Sequence, residues 1–181
     1  MYLVINGTNR HSSLSKPVSA FVFEYLKSKF SDQVKFLDLC EIRMNAFESE
    51  SMYNKEKVSE VILDIRNSLL VPASKMIFVS PEYNGSFPGI LKLFLDAASI
   101  KDAKEAFFHK KACLIGIASG RAGNLRGMDH LTGVLMYMNM IVYPNRLPIS
   151  RIETLIDNDR KLNDENTVTI ISNLLDEFIQ F

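Results

Sequence analysis

The chain has 181 residues, 47% of them hydrophobic, which suits a single domain, 1–181, with a core of ordinary size. Its 21 basic and 21 acidic side chains cancel, so the overall field gives no reason to expect nucleic acid or an anionic membrane as a partner. No apolar run reaches the ~18 residues of a membrane span, and Met1 leads straight into a strand-like run without the basic segment and apolar core of a secretory leader; the expectation is a soluble, cytoplasmic protein.

Tyr2, Leu3, Val4 and Ile5 form a short, continuous apolar run that ends at Asn6 and Gly7, the pattern of a strand covered on both faces. From Leu14 the period becomes helical. Val18, Phe21, Val22, Tyr25 and Leu26 make one apolar stripe, and Pro17 is tolerated in a first turn. Val34, Phe36, Leu37 and Leu39 read as a second strand, and Val58, Val61, Ile62, Ile65 and Leu69 as a second helix. A long, polar, partly mobile connector over 45–57 is expected between them. The third strand is predicted over 76–80 and the third helix over 89–100, followed by a charged stretch at 101–105. A fourth strand over 112–117, a fourth helix over 125–140 and a short fifth strand from 141–144 with 147–149 come next. DNDRKLNDEN, 157–166, reads as a solvated connector before a closing amphipathic helix over 168–178.

Five strands alternating with helices predict an α/β fold with a doubly wound parallel sheet of order 2-1-3-4-5. That order sets the carboxyl ends of strands one, three and four side by side at the topological switch point, where such sheets bind ligands. The three loops there then form one crevice. The first, GTNRHSSLS at 7–15, carries hydroxyls and one arginine into a helix N-terminus, which offers free N–H groups and a positive dipole end to a phosphate. The second, PEYNGSFPG at 81–89, is stiffened by Pro81 and Pro88. It offers the aromatic plane of Tyr83 and the amide of Asn84, groups suited to a planar heterocycle. The third, SGRAG at 119–123, adds Ser119 and flexible glycines. The absence of GxGxxG after the first strand and of GxxxxGK[ST] anywhere argues against a dinucleotide fold and a P-loop NTPase.

Together these loops resemble the NADPH-dependent FMN reductase family, flavodoxin-like flavoproteins that include quinone, azo-dye and chromate reductases. GTNRHSSLS is similar to the family's G-S-x-R-x-x-S-x-N phosphate loop, and PEYNGSFPGILK and SGRAG match its other two elements. The resemblance implies a flavodoxin-like three-layer sandwich, FMN as cofactor, NADPH or NADH as co-substrate, and a homodimer or homotetramer. It also implies that Thr8, Arg10, Ser13 and Ser15, with Leu14 through its backbone, bind the FMN phosphate. Pro81, Glu82, Tyr83, Asn84 and Gly85 would line the isoalloxazine ring, and Ser119 and Gly120 would close its other side. Thr8 and Ser15 stand where the motif has serine and asparagine. Leu93, Phe94 and Ala97 replace asparagine, alanine and tryptophan of the usual LKNAIDW, which bears on the subunit contact or the substrate pocket more than on FMN.

The expected activity is transfer of hydride from a nicotinamide to bound FMN and on to a small acceptor: a quinone, flavin, azo compound or metal oxyanion. No side chain is assigned as general acid, nucleophile or metal ligand, because the cofactor carries the chemistry. His11, His109 and His130 cannot be assembled into a metal site by spacing, and Cys40 and Cys113, far apart and without a CxxC, read as core thiols of a reducing compartment. Met128, Leu131, Leu135, Met138 and Val142 form one stripe of the fourth helix, while Val134, Met136, Tyr137, Met140 and Ile141 add apolar groups elsewhere, which marks deep core or a subunit interface. The rival reading is a flavodoxin-type electron carrier; its docking would call for a strongly acidic surface, whereas the sequence pI is about 6.8. A flavin-free descendant of the fold is the third reading.

Overall fold

The computed structural model describes residues 1–181 except for the side chains of Ser49 and Ser51. β1 (Tyr2–Asn6), β2 (Val34–Asp38), β3 (Lys75–Pro81), β4 (Lys111–Ile117), β5 (Ile141–Val142) and β6 (Leu147–Ile149) form one sheet. Its order is β2-β1-β3-β4-β5, with β6 also paired to β4, and every pairing is parallel. The apolar runs are continuous because alternate residues enter two different cores. Leu3, Ile5, Met76, Phe78, Ala112 and Leu114 point to one face; Val4, Ile77, Val79, Cys113, Ile115 and Ile117 point to the other.

The second face is covered by α1 (Ser15–Phe30) and α7 (Glu165–Gln180), through Val18, Val22 and Leu26 from the first and Ile171, Leu174, Leu175 and Phe178 from the second. The first face is covered by α3 (Glu60–Ile65), α4 (Gly89–Ser99) and α6 (Leu125–Tyr137), with the shorter α2 (Ser49–Tyr53) and α5 (Ala103–Phe107). α7 begins on a side-chain cap, Asp164 accepting from Thr167 N–H at 2.8 Å. At the other end of the sheet, Lys75 donates to the carbonyls of Phe178 and Ile179, which supplies partners to the last turn of α7.

The predicted fifth strand is two strands. β5 pairs with Lys111 and Ala112 and β6 with Ile115 to Ile117, so the four residues between them, Tyr143 to Arg146, oppose only Cys113 and Leu114. Pro144 has no N–H to give to a ladder, and the extra residues bulge out. The connector at 45–57 contains a 3-10 turn, Met44–Phe47, and α2. Ala46, Phe47 and Met52 are buried in the first core, so this link packs under the sheet more firmly than its polar composition suggests. The charged stretch after 100 likewise closes into α5, because Ala106 and Phe107 are fully buried. α3 runs on as a π turn, Arg66–Leu70, where the buried Arg66 guanidinium donates to the carbonyls of Lys101 and Asp102 and to Glu105.

Candidate active site

Strand order alone brings the ends of β1, β3 and β4 together, and the loops that follow are held to one another by main-chain bonds. Gly7 N–H donates to Val79 O at 2.9 Å and Glu82 N–H to Ile117 O at 2.8 Å. Glycine at position 7 suits this closeness: a Cβ there would stand 3.0 Å from Leu91 Cδ2 and 3.2 Å from Val79 O. The ring loop turns back on itself as a tight hairpin. Tyr83 and Ser86 exchange both main-chain bonds, and Asn84 and Gly85 sit at φ +51° and +77° in the left-handed region.

The three loops line one cleft of about 150 Å³. Arg10, Ser13, Leu14 and Ser15 come from the first loop, Pro81, Glu82 and Tyr83 from the second, and Ile117, Ala118 and Ser119 from the strand and loop of the third. Thr8 is fully buried just behind this wall, bonded through Oγ1 to the Tyr83 hydroxyl at 2.7 Å. Asn84 lies exposed at the hairpin tip, and neither it nor Gly85 or Gly120 is among the residues that line the cleft. A Cβ added at Gly85 or Gly120 would meet open space.

The cleft is smaller than the ~300–1,000 Å³ of most ligand pockets. Wider grooves lie elsewhere, the two largest about 360 Å³ between β6 and α7 and about 460 Å³ between α4 and α6. Size does not decide the matter. Neither groove opens at the switch point, whereas the narrow cleft opens there and against the start of α1.

Several residues of this region carried no sequence signal. Ile152 and Glu153 complete the cleft wall. A hydrogen bond from Ser119, with one from its own main chain, holds the Glu153 carboxyl below the usual carboxylate range, so the cleft carries both a cation, Arg10, and an anion. Asn124 is fully buried and ties the third loop to β3, its Nδ2 donating to Ser80 O at 2.9 Å. The expected solvated connector at 157–166 in fact folds back on the first loop: Arg160 donates to the carbonyls of Ser12 and Ser13 at 3.1 and 3.3 Å. His130 reaches Ser86 Oγ at 3.0 Å beside the ring loop, and His11 lies 3.1 Å from the Cys40 thiol. Burial and nearby acidic groups, Asp38 first among them, push the Cys40 thiol up, and burial pushes the enclosed Cys113 up to about 12. Both cysteines are therefore protonated at neutral pH. Phe94 and Ala97 are buried in the core and Leu93 packs against it, so these departures from the family pattern lie away from the cleft.

A doubly wound parallel sheet of this order, with an anion-ready helix start and a stiff aromatic loop at its switch point, defines a flavodoxin-like nucleotide-binding protein. The model of the family described as NADPH-dependent FMN reductase matches residues 2–154, and the chain belongs to that family. It is an oxidoreductase that works with FMN and takes NAD(P)H as co-substrate. A 2-hydroxy-1,4-benzoquinone reductase of a Burkholderia species is 26% identical over 176 residues, 97% of this chain and 92% of that protein. An NAD(P)H-dependent FMN reductase of Pseudomonas aeruginosa is 32% identical over 106 residues, 57% of this chain and 56% of that protein. Among solved structures, a flavoenzyme NAD(P)H:(acceptor) oxidoreductase of Paracoccus denitrificans superposes with a TM-score of 0.77 at 18% identity, covering 99% of this chain and 94% of that one. No helix among the described residues is long and apolar enough to cross a membrane.

Proposed function

We propose that the cleft holds FMN with its phosphate end at the loop of Thr8, Arg10, Ser13, Leu14 and Ser15. The ring lies against Pro81, Glu82, Tyr83, Asn84 and Gly85, with Ser119 and Gly120 on its other side, and a small acceptor of the quinone type takes the reducing equivalents that NAD(P)H brings. The observation that carries this reading is the single cleft in which residues of all three loops meet. A relative named for a benzoquinone supports the acceptor class.

Bound FMN supplies the hydride and electron chemistry. The chain's own residues bind and orient. The first N–H groups of α1 lack partners within the helix, and with the helix dipole and Arg10 they form the cationic end of the cleft. Pro81 and the hairpin at 83–86 fix the ring wall. The open sides of Gly85 and Gly120 leave space for a nicotinamide or an acceptor to stack. Proton delivery to the acceptor is left to water, since the cleft mouth is open.

We read the chain as one domain, 1–181, working in the cytoplasm as a homodimer and without nucleic acid. The balanced charge supports the last point. The dimer reading rests on α6, whose outer side leaves Met136 61% and Tyr137 89% exposed beside the groove lined by Val134 and Met138. Exposed Met and Tyr around an apolar groove are typical of an interface.

The test is an absorbance spectrum of protein reconstituted with FMN, followed by anaerobic addition of NADPH or NADH. Flavin bands that bleach on addition, and return when a quinone is supplied, are expected. Absence of bands removes the FMN site proposed for these loops, and bands that neither nicotinamide bleaches leave an electron carrier instead.

A further inference from the structure

The floor of the first loop is one continuous hydrogen-bond chain that begins at a carboxylate. Asp38, at the end of β2, has its Oδ2 2.9 Å from Lys16 Nζ. Its Oδ1 accepts from Asn6 Nδ2 at 2.9 Å and from Cys40 N–H at 3.1 Å. Asn6 Oδ1 accepts from Ser15 Oγ at 2.7 Å, with Ser19 Oγ farther away at 3.3 Å. Ser15 Oγ is in turn 2.7 Å from Ser13 Oγ, which also accepts from Ser15 N–H at 3.2 Å. Asn6, Ser13, Ser15, Ser19 and Asp38 are all buried.

Counting protons gives this chain a direction. A carboxylate only accepts, so Asn6 turns its NH2 to Asp38 and its carbonyl to Ser15. A carbonyl only accepts, so the one proton of Ser15 goes to Asn6. The contact between Ser13 and Ser15 still needs a proton, and Ser13 alone has one left. Ser13 therefore spends its proton inward and shows the cleft a lone pair. The chain is buried and each bond polarises the next, so its direction is set at the Asp38 end.

We propose that Asp38 and Asn6 are positioning residues that set this polarity, so that Ser13 meets the bound flavin as a hydrogen-bond acceptor. Its partner is a donor of the cofactor, a ribityl hydroxyl, while main-chain N–H groups at the start of α1 and Arg10 hold the phosphate. This rests on the reading that the cleft binds FMN. It narrows the motif resemblance: the serine at 15, standing where the motif has asparagine, has its proton committed to the amide at 6. Neither serine then donates to the phosphate.

Flavin-stripped protein titrated with FMN and with riboflavin, by quenching of flavin fluorescence, separates the two roles. The ratio of the riboflavin to the FMN dissociation constant reports the phosphate alone. Ser13→Ala is expected to weaken both ligands by about the same factor, roughly five- to tenfold for one lost hydrogen bond, with the ratio unchanged. Ser15→Ala removes the acceptor of the Ser13 proton, so the hydroxyl is free to turn outward and the ratio rises several-fold. Asp38→Ala removes the acceptor that orients the Asn6 amide; it is expected to raise the ratio as well, and to lose that effect in the Ser13→Ala background. Loss of FMN affinity without loss of riboflavin affinity in Ser13→Ala overturns the proposal. So does a rise in the double variant equal to that in Asp38→Ala, which would make it an effect of charge alone. Wild-type protein that binds neither flavin removes the cofactor reading and the proposal together.

Discussion

Thr8 and Tyr83, 75 positions apart in the chain, meet hydroxyl to hydroxyl at 2.7 Å, and the bond ties the first loop to the second behind the cleft wall. Thr8 Oγ1 also accepts Arg10 N–H at 3.2 Å, so the same hydroxyl shapes the backbone that carries the arginine. Two loops that must both contact one ligand gain from being set before it arrives. Tyr83→Phe is expected to weaken FMN binding about five- to tenfold, the worth of one hydrogen bond, and Thr8→Val, which also strips Arg10 N–H of its acceptor, by more. Because they share the hydroxyl-to-hydroxyl bond, the double variant should be little weaker than Thr8→Val alone. Fluorescence titration measures all three, and fully additive losses would show that the bond is not what the two residues share.

The third loop depends on a close approach between backbones. A Cβ at Gly116 would stand 2.5 Å from Gly123 O and 2.9 Å from Met128 Sδ, and the carbonyl cannot move without dragging the loop from its place. Gly116→Ala should therefore lower stability by about 2–3 kcal/mol, in the range of overpacked cores. Gly120→Ala, with open space around it, should change it by less than about 0.5 kcal/mol. Urea midpoints compared at constant slope distinguish the two.

The exposed side of α6 makes a prediction about assembly. Tyr137→Glu places a charge in the groove bounded by Val134, Met138 and His130, where burial against a second copy would leave it unpaired. Wild-type protein should run as a dimer by light scattering and the variant as a monomer with an unchanged thermal midpoint at low concentration. A monomeric wild type would dispose of the interface.

Lys110 supplies a pH dependence whose sign can be worked out. Burial first, and the Arg66 charge second, lower its amine from 10.5 to about 8, while Nζ donates to Leu70 O and Val71 O. A base whose folded value lies below its unfolded one is penalised when charged, so the penalty is complete below about pH 8 and disappears as pH rises to 10.5. Relative to Lys110→Met, the wild type should gain stability between pH 7.5 and 10. Denaturant midpoints of both proteins at the two values provide the comparison, and a constant gap would contradict the shift.

Local pattern was enough to reveal the sheet and its order, because a strand buried on both faces leaves an unbroken apolar run and the intervening stripes are helical. The three loops were equally legible, since glycine, proline and hydroxyl residues punctuate strand ends for steric reasons visible in the sequence. The remainder depended on distance in the chain. Phe47 and Met52 are single apolar groups in a polar connector, too sparse for a period, yet both reach the core. Glu153 and Arg160 stand in stretches without motif and become neighbours of the first loop only because β6 returns to β4. The split of the last strand turns on Pro144, whose missing N–H matters only once β4 is beside it.

The match to the family model runs to residue 154, but the folding unit does not stop there. Arg160 holds the carbonyls of Ser12 and Ser13, and Ile171, Leu174, Leu175 and Phe178 cover the Val18, Val22 and Leu26 side of α1. A fragment trimmed at residue 154 would keep all three loops and bare to water the part of α1 and of the sheet that α7 covers. Grafting this cleft onto another scaffold thus requires carrying α7 along, although its side chains stand outside the cleft.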